Sequence, residues 1–303
     1  MQNGHNHVPM PYIPERFYGI ALFVIAMFFF SCMNVTISSM AGSIPSVQIV
    51  FMRNVLGLCM LAPFAIRRYG VEGLRTQRLG RHAQRAFVGL LSMEAWFYSL
   101  GNISVNTATA LSFSAPLFST VLAVLLLKER IRALRIAALL VGFGGVVLIA
   151  SPTRQEAQSF YSYVVLFSAL MMAYTGIIVK KLTVTEPSWR IVVYMTAFMS
   201  VMSFPLAWME WQPIELPIMG MLVIVALCSI IAQICLTHAL KLQKIVVLTP
   251  FEFTRLMFTA MIAWIVFGEQ LTWNSVVGSV IILSSAVFIA WRESYVKKKK
   301  IVL

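Results

Sequence analysis

The sequence predicts an all-α integral membrane protein in which ten transmembrane helices form two inverted repeats of five, with both termini in the cytoplasm. Of its 303 residues, 59% are hydrophobic and 12% are charged, whereas soluble domains average roughly 45–50% and 25%. A span needs about 20 apolar residues, so the chain has room for roughly ten spans and no separate soluble domain. The distribution of basic residues and an internal repeat supply the orientation and the symmetry.

The whole chain has a mean hydropathy of +0.83. Its hydropathy profile shows ten apolar segments. The apolar run after residue 16 is too long for a signal-peptide core, so it is expected to remain as a helix. The ten predicted spans are 17–37, 45–66, 83–102, 105–127, 133–151, 160–179, 188–208, 218–240, 245–267 and 273–291. The predicted organisation is a cytoplasmic tail at 1–16, a first repeat at 17–151, a linker at 152–159, a second repeat at 160–291 and a basic cytoplasmic tail at 292–303.

The 24 lysine and arginine residues are distributed unevenly. Twenty-one are assigned to the termini and to the even-numbered loops with their flanking helix ends, Arg154 to an odd-numbered loop, and Arg53 and Arg255 to span interiors. Cytoplasmic loops carry an excess of positive charge, so this bias places both termini and the even loops on the cytoplasmic side of the inner membrane. The net charge of +13 is therefore a topology signal, and no nucleic acid partner is expected.

The acidic residues exclude several function classes. All 11 are glutamates, and no aspartate occurs in the sequence, which removes aspartyl proteolysis, Asp-rich metal–diphosphate sites and aspartyl-phosphate pumps. Neither a glycine-rich phosphate loop ending in Lys-Ser/Thr nor a His-Glu-x-x-His metal motif is present. We therefore expect no enzyme, no cofactor and no metal site, and no direct use of ATP.

The two halves of the chain align with each other at nearly constant offsets. A shift of 142 residues aligns the second span with the seventh, and a shift of 140 aligns the fourth with the ninth. Because five is odd, the second copy must enter the membrane from the opposite face, and inverted repeats of this kind surround the midplane sites of many carriers. The aligned pairs include Pro45 with Pro187, Pro63 with Pro205, Thr109 with Thr249, Phe113 with Phe253 and Glu129 with Glu269.

Two corresponding segments resemble the ends of EamA-type repeats. They are TATALSFSAPLFST at 107–120 with LLLKERI at 125–131, and VLTPFEFTR at 247–255 with FGEQLT at 267–272. The chain resembles EamA-like transporters of the drug/metabolite transporter superfamily over essentially its whole length. This resemblance implies ten spans, two inverted repeats, a central cavity and transport coupled to an ion or substrate gradient. The family's recurrent glutamates match Glu129 and Glu269, which we interpret as structural caps or loop pins.

The run at 109–118 is similar, within this superfamily, to the S-adenosylmethionine uptake carriers of intracellular alpha-proteobacteria. Other members of the superfamily with similar sequences carry riboflavin, amino acids or unknown metabolites. The resemblance therefore makes S-adenosylmethionine the leading single substrate candidate.

Four charged residues fall inside predicted spans: Arg53, Glu94, Glu252 and Arg255. Charges at membrane depth are costly and often functional. Two interpretations remain open for them. They neutralise one another as structural pairs, Arg53 with Glu94 and Glu252 with Arg255, or at least one pair lines a central cavity.

Helical spacing adds further candidates. In the ninth span, one polar stripe comprises Thr249, Glu252, Arg255 and Thr259, and subtracting 140 gives Thr109, Ser112, Ala115 and Ser119 in the fourth span. We expect these two spans to face each other across the cavity. In the third span, Trp96 lies near Glu94 and Tyr98, which share a face at four-residue spacing. The aromatic residues predicted to stack on a ring or cover a cation are Trp96, Tyr98, Phe113 and Phe251.

The predicted mechanism is alternating access by a secondary transporter of a small polar or zwitterionic metabolite. Glu94 or Glu252 binds a proton or a cationic substrate group, with Glu94 favoured, and Arg53 or Arg255 holds a carboxylate. The alternatives are an amino-acid, metabolite or drug exporter and a lipid-precursor flippase of the same fold. The predicted partners are the small-molecule substrate, the lipid bilayer and protons, while direction, coupling ion and homodimer formation stay open.

Overall fold

The computed structural model describes residues 15–115, 117–119, 121–122, 133–150, 156–243, 248–268, 273–274, 276–285 and 287–288. Every regular element in these ranges is helical. The helices are α1 (Glu15–Ser39), α2 (Ser46–Tyr69), α3 (Leu79–Leu100), α4 (Val105–Ser112), α5 (Ala133–Ala150), α6 (Glu156–Leu182), α7 (Ser188–Met209), α8 (Leu216–Leu242), α9 (Phe253–Phe267) and α10 (Val276–Ser285), with short 3₁₀ turns at Glu72–Leu74 and Thr249–Glu252.

The length and composition of these helices are those of a membrane protein. Five of them, α1, α2, α6, α7 and α8, are long and apolar enough to cross a bilayer. Large apolar side chains such as Trp208, Leu216 and Ile265 lie on the surface, where water would disfavour so extensive an apolar area. The coarse form of the predicted fold class, an α-helical multi-pass membrane protein, is therefore correct.

Several helix boundaries follow from single residues. Helices α2 and α7 begin directly after Pro45 and Pro187, whose extended backbone lets each helix start at the next residue. The hydroxyl of Ser104 accepts a hydrogen bond from the backbone amide of Thr107 at 3.1 Å and caps α4. Gly268 ends α9 with a φ of 66°, a left-handed conformation that a side chain disfavours.

Helix contacts recur in pairs, because two helices that pack together have counterparts in the opposite halves that also pack together. Helix α1 packs against α8 as α6 packs against α3, α2 packs against α8 as α7 packs against α3, and α1 packs against α9 as α6 packs against α4. The remaining principal contacts, α2 with α7 and α4 with α9, each join one helix to its own counterpart. A pseudo-two-fold axis that relates the two halves produces this pattern of contacts.

The last helices of the two halves, α5 and α10, also meet. A Cβ atom added to Gly145 of α5 would lie 2.9 Å from the backbone carbonyl of Gly278 in α10, which is closer than any side chain tolerates. Small residues allow helix backbones to approach each other in membranes. Gly145 and Gly278 therefore permit the close packing of α5 against α10.

Helices α4 and α9 are interrupted where the sequence predicts continuous spans. Helix α4 ends at Ser112, residues 113–114 form a turn, and helical residues resume at 115. The predicted span 245–267 contains a 3₁₀ turn at Thr249–Glu252 before α9 begins at Phe253. Neither predicted span is therefore one continuous α-helix, and Pro116 and Pro250 in these spans lack the amide donor that continues an α-helix.

On one side of the molecule, the connector between α2 and α3 is fastened to the start of α7. Glu186 lies just before α7, and 4% of its side chain is exposed. Its carboxylate accepts hydrogen bonds from the Thr76 hydroxyl at 2.5 Å and from the Arg190 guanidinium at 2.6 Å. Arg190 also donates through Nε to the backbone carbonyl of Gly73 at 2.7 Å. One carboxylate and one guanidinium therefore attach a connector of the first half to the second half.

At the other end of α2, the connector between α7 and α8 is fastened to the start of α2. The side chain of Gln48 donates to the carbonyl of Gln212 at 2.8 Å and accepts from the amide of Gln212 at 3.1 Å. The offset of 142 relates Gln48 to Arg190. Helix α2 has 24 residues, about 36 Å at its usual rise. The two connectors are thus held by equivalent positions at opposite ends of the α2–α7 pair.

The ionic connector contact is expected to depend on pH. Burial alone raises the pKa of Glu186, but hydrogen bonds from Thr76 and Arg190 and the charges of Arg190 and His82 outweigh burial and hold the pKa below the ordinary carboxyl value. A carboxyl with a lowered pKa stabilises the fold above its ordinary value and loses that contribution as the pH falls through the folded pKa. We expect Glu186→Gln to lower the free energy of unfolding by about 1–3 kcal/mol at neutral pH, and by much less in acid.

Thermal unfolding of the purified chain in detergent across a pH series measures this effect. The matched control is Glu72→Gln, because Glu72 pairs with Arg75 at 3.3 Å in a contact whose side chains are 79% and 80% exposed. An exposed pair of this kind contributes about 0–1 kcal/mol. A loss of stability in the Glu186 variant that is equal at every pH would contradict the ionic assignment.

Candidate functional site

The interruptions in α4 and α9 meet at Arg255. Helix α4 packs against α9, and the Arg255 guanidinium donates through Nη2 to the Ser112 hydroxyl at 2.5 Å. The guanidinium carbon lies 5.6 Å from the ring centre of Phe113, in the turn that follows α4. The fourth and ninth spans are therefore in direct contact, whereas the sequence predicts that they face each other across a cavity. Interrupted helices expose backbone groups at membrane depth, and carriers use such interruptions to form their sites.

Helix α1 holds the Arg255 backbone in place. The Ser31 hydroxyl of α1 donates to the backbone carbonyl of Arg255 at 3.0 Å and accepts from the Thr259 hydroxyl at 3.0 Å. Arg255 is 8% exposed, and its Nε has no hydrogen-bond partner among the described residues. The buried hydroxyls of Thr109 and Ser114 are likewise without partners in the described ranges. Buried polar groups nearly always have partners, so these groups are suited to a polar ligand or water.

Arg53 lies in α2, remote from α9 in sequence, and is 2% exposed. Its Nη1 contacts the thioether sulfur of Met93 in α3 at 2.6 Å, and its guanidinium carbon lies 5.9 Å from the ring centre of Phe97. A thioether is a weak acceptor. The Nε atom of Arg53 is buried without a partner in the part of the chain that the structure describes. The described contacts of the Arg53 guanidinium, with Met93 and Phe97, are therefore weak ones.

Glu94 supplies the opposite charge from α3. Both of its carboxyl oxygens are buried and have no hydrogen-bond partner within the described ranges. Trp96 is fixed, since its indole N–H donates to the Asn34 side chain of α1 at 3.0 Å. Tyr98 is half-exposed, and its ring centre lies 5.6 Å from that of Tyr161 in α6. A carboxylate so placed can accept a proton or a cationic group without first losing a partner.

The ion pairs of the described residues join Arg75 with Glu72, and both Arg190 and His82 with Glu186. Neither predicted pair, Arg53 with Glu94 or Glu252 with Arg255, is among them. Glu252 is the last residue of the 3₁₀ turn, three residues before Arg255, and its side chain is partly buried. Thr249 begins that turn, and its side chain lies outside the described part. Thr249 and Glu252 are three residues apart, which is one full turn of a 3₁₀ helix, so the polar stripe predicted through Thr249 and Arg255 stays a prediction.

The sequence interpretation misses one buried charge. Arg85 is counted there with the basic residues around the loop after the second span, yet it lies inside α3 and is 3% exposed. Its Nη2 donates to the side-chain carbonyl of Gln233 in α8 at 3.4 Å, and its Nε and Nη1 are unpartnered within the described chain. The sequence does contain a signal that Arg85 belongs to the helix. Gly89 and Met93 follow it at four-residue steps, so the three residues lie along one helix face.

A comparison with known families matches residues 17–151 and 160–291 to the EamA-like transporter family. The chain belongs to the EamA-like transporter family. Members of this family and the relatives described next are transporters, not enzymes, so the chain is a membrane transporter. The resemblance found in the sequence is confirmed.

Relatives of this EamA-like chain differ in the cargo that they are named for. An S-adenosylmethionine uptake transporter of Rickettsia bellii is 29% identical, covering 93% of this chain and 97% of that protein. The pseudopaline exporter CntI of Pseudomonas aeruginosa is 27% identical, covering 89% and 94%. A riboflavin transporter of Brucella anthropi is 27% identical, covering 83% and 90%. These relatives agree on small-molecule transport and disagree on the molecule and its direction.

A solved crystal structure shares the fold of this EamA-like transporter. It superposes with a TM-score of 0.62 at 14% sequence identity, covering 90% of this chain and 98% of that one. At this identity the likeness concerns the fold alone. The roles of individual residues must therefore be argued from their own surroundings.

Proposed function

We propose that this chain is a secondary transporter that moves a small polar or zwitterionic metabolite across the cytoplasmic membrane by alternating access. The proposal includes ten spans with both termini in the cytoplasm, repeats at 17–151 and 160–291, a linker at 152–159, and cytoplasmic tails at 1–16 and 292–303. The family match to the same two ranges supports this organisation. Each repeat supplies one interrupted helix to the site, α4 or α9.

One observation carries the choice of a zwitterion. Buried groups of both signs lack ionic partners in the described chain: the Glu94 carboxyl on one side and the Arg53 guanidinium on the other, whereas Arg255 interacts electrostatically with Glu252. An unpaired buried charge costs several kcal/mol, so it is disfavoured unless a ligand or water compensates it. In the proposed site, Arg255 or Arg53 binds a substrate carboxylate, and Glu94 binds a proton or a cationic group. Trp96, Tyr98 and Phe113 stack on the rest of the molecule.

The two connector contacts support alternating access. The contact around Glu186 and the contact between Gln48 and Gln212 lie at opposite ends of the α2–α7 pair. A carrier that opens to one side at a time needs one closure at each end of its central site. In this mechanism each contact breaks in one half of the cycle, and the equivalence of Gln48 and Arg190 gives both closures a common origin in the repeat.

The substrate candidates follow from sequence similarity. S-adenosylmethionine is the leading single candidate, since a named uptake transporter for it is similar over nearly the whole chain. Export of an amino acid, metabolite or drug is the alternative, supported by the similarity to an exporter. A lipid-precursor flippase of the same fold is a third candidate, and a groove open to the bilayer would favour it.

Uptake and counterflow in proteoliposomes test the proposal. Labelled S-adenosylmethionine is added outside vesicles preloaded with unlabelled compound, and amino acids and riboflavin serve as competitors. Saturable exchange that a pH gradient alters would support coupled transport of this substrate. Failure of all these compounds to exchange, with protein that is folded by thermal unfolding, would exclude them and return the substrate to the metabolite-export class.

A further inference from the structure

His82 lies inside the contact around Glu186, at one end of the α2–α7 pair. It belongs to the first turn of α3, directly after the connector, and its side chain is fully buried. Its ring stacks on that of Tyr194 in α7, with ring centres 4.7 Å apart and planes inclined by 29°. The Tyr194 hydroxyl in turn donates to the backbone carbonyl of Leu74 in the connector at 2.7 Å. His82 is therefore enclosed where the connector of the first half meets α7 of the second.

The surroundings of the His82 imidazole are those of a neutral ring. Both ring nitrogens are buried without a hydrogen-bond partner in the part of the chain that the structure describes. Nε2 lies 4.0 Å from Oε1 of Glu186, which is too far for a hydrogen bond. That oxygen accepts the Thr76 hydroxyl at 2.5 Å, and the other carboxylate oxygen accepts the Arg190 guanidinium at 2.6 Å. The Glu186 carboxylate is therefore held by groups other than the histidine.

A proton on His82 would add a positive charge that this contact does not balance. The charge of Glu186 is already matched by Arg190, at 2.6 Å. Arg85 lies three residues after His82 on the same side of α3 and is itself 3% exposed. Glu186 attracts a protonated imidazole, whereas Arg85 and Arg190 repel it. Burial, together with these two arginines, outweighs the attraction and holds the pKa of His82 below its ordinary value of 6.5.

The other charged groups at this end of the molecule do not compensate such a charge. Those of the connector and of the adjoining ends of α2 and α3 are exposed to solvent: Arg67, Arg68, Glu72, Arg75, Arg78 and Arg81. Glu72 is the one carboxylate among them, and it pairs with Arg75 at 3.3 Å. At the end of α6, Lys181 is exposed, and Lys180 donates to the backbone carbonyls of Leu240 and Gln243. The response of the contact to a proton therefore depends on His82 and its immediate neighbours.

We propose that His82 is a pH sensor that weakens the contact around Glu186 when the cytoplasm becomes acidic, and so controls the opening of the transporter to that side. The inference rests on the proposed transport function, in which this contact closes the cytoplasmic end of the site. Opening separates the connector from α7 and lets water reach the ring, which removes the cost of the protonated form.

The pH range of the response follows from the two titrating groups. Because the pKa of His82 is lowered in the closed arrangement, closure is unaffected above its ordinary value of 6.5 and becomes less favourable as the pH falls below it. The pKa of Glu186 lies below the ordinary carboxyl value of 4.5, so this carboxylate stays ionised throughout the same range. Acidification from about pH 7.5 to about pH 5.5 is therefore expected to raise the open-to-closed ratio about 3- to 10-fold, the range that linkage of one proton allows.

Distances between two spin labels measure the opening directly and need no transported substrate. In the full chain with its four cysteines replaced by serine, the labels are attached through Glu72→Cys in the connector and Val184→Cys before α7, both at exposed positions. The protein is reconstituted in lipid nanodiscs, and thermal unfolding checks its fold. Pulsed electron paramagnetic resonance is expected to show mainly one short distance at about pH 7.5, and a longer-distance population that grows about 3- to 10-fold by about pH 5.5.

Variants assign the response to one residue. His82→Phe keeps a ring against Tyr194 but cannot take up a proton, so its distances are expected to be the same at both pH values. The matched control is His238→Phe, because His238 of α8 also contacts an aromatic ring, that of Tyr18 at 6.2 Å, and is expected to keep the wild-type response. If His82→Phe does not fold, His82→Gln serves as the second variant without titration. Distances that do not change with pH in the parent chain, or the parent response in a folded His82 variant, would overturn the sensor.

Failure of the sensor and failure of the proposed transport give different results. Counterflow in proteoliposomes by a chain whose label distances ignore pH would keep transport and overturn the sensor. Opening that depends on His82, in a chain that exchanges none of the tested metabolites, would support the sensor and overturn those metabolites as cargo.

Discussion

Replacing Arg255 with glutamine is expected to reduce the apparent affinity of the transporter for its carboxylate-bearing substrate by about 10- to 100-fold, the range that loss of a charge-assisted hydrogen bond gives. Arg255 is 8% exposed, its Nη2 is held by Ser112, and its Nε is unpartnered in the described chain. One side of the guanidinium is thus positioned by the protein, and the other remains for a ligand. Counterflow at increasing substrate concentrations separates this loss of affinity from a loss of maximal rate.

The matched controls distinguish charge from geometry. Arg255→Lys keeps the positive charge and loses the planar fork, so its affinity is expected to lie between those of the wild type and Arg255→Gln. Arg78→Gln removes an exposed arginine and is expected to leave affinity unchanged. Thermal unfolding of each variant checks the fold, because Arg255 also approaches Phe113. Wild-type affinity in folded Arg255→Gln would remove Arg255 from the proposed site.

Much of the architecture could be predicted because apolar runs and repeat offsets act over many residues. The start of α2 and of α7 after Pro45 and Pro187 is readable from chain chemistry. The meeting of α4 and α9 is readable from the polar residues that the 140 offset relates. Pro116 and Pro250 indicate in the sequence that these helices can bend, but the bounds of the interruptions could not be read, because hydropathy averages over a window longer than the turn at Thr249–Glu252.

The site was harder to predict because it depends on partners rather than on residue type. Arg53 and Glu94 lie on consecutive helices and can be expected to pair, yet Arg53 contacts Met93 instead. Arg85 is indistinguishable by composition from the basic loop that precedes it, and only its burial in α3 separates it from Arg81. Sequence spacing gives the face of a helix, whereas the neighbouring helix that covers this face is set by tertiary packing.

The two connector contacts differ in chemistry although the repeat relates them. Arg190 works with Glu186, whereas its counterpart Gln48 uses a neutral amide pair with Gln212. An ionic closure responds to pH and salt, and a neutral closure does not. We expect this difference to make the end of the molecule at Glu186 the one whose opening varies with solution conditions, which is consistent with the cytoplasmic location proposed for that loop.

Replacing Glu94 with glutamine is expected to abolish the response of uptake to a pH gradient. The carboxyl oxygens of Glu94 are buried without partners in the described part of the chain, so protonation changes the charge of the site directly, and glutamine cannot take part in that change. In proteoliposomes, gradient-driven uptake is expected to fall at least about tenfold, the usual scale for losing one charged contact. Counterflow without a gradient separates the two proposed roles of this residue.

If Glu94 carries the coupling proton, Glu94→Gln retains counterflow and loses gradient-driven uptake alone. If Glu94 binds the cationic group of the substrate, both activities fall together. Glu252→Gln tests the competing protonatable residue, and Glu215→Gln, at an exposed position before α8, is the control that should change neither activity. A wild-type rate with wild-type pH dependence in Glu94→Gln would exclude both roles. Glu252 would then be the remaining candidate for the coupling residue.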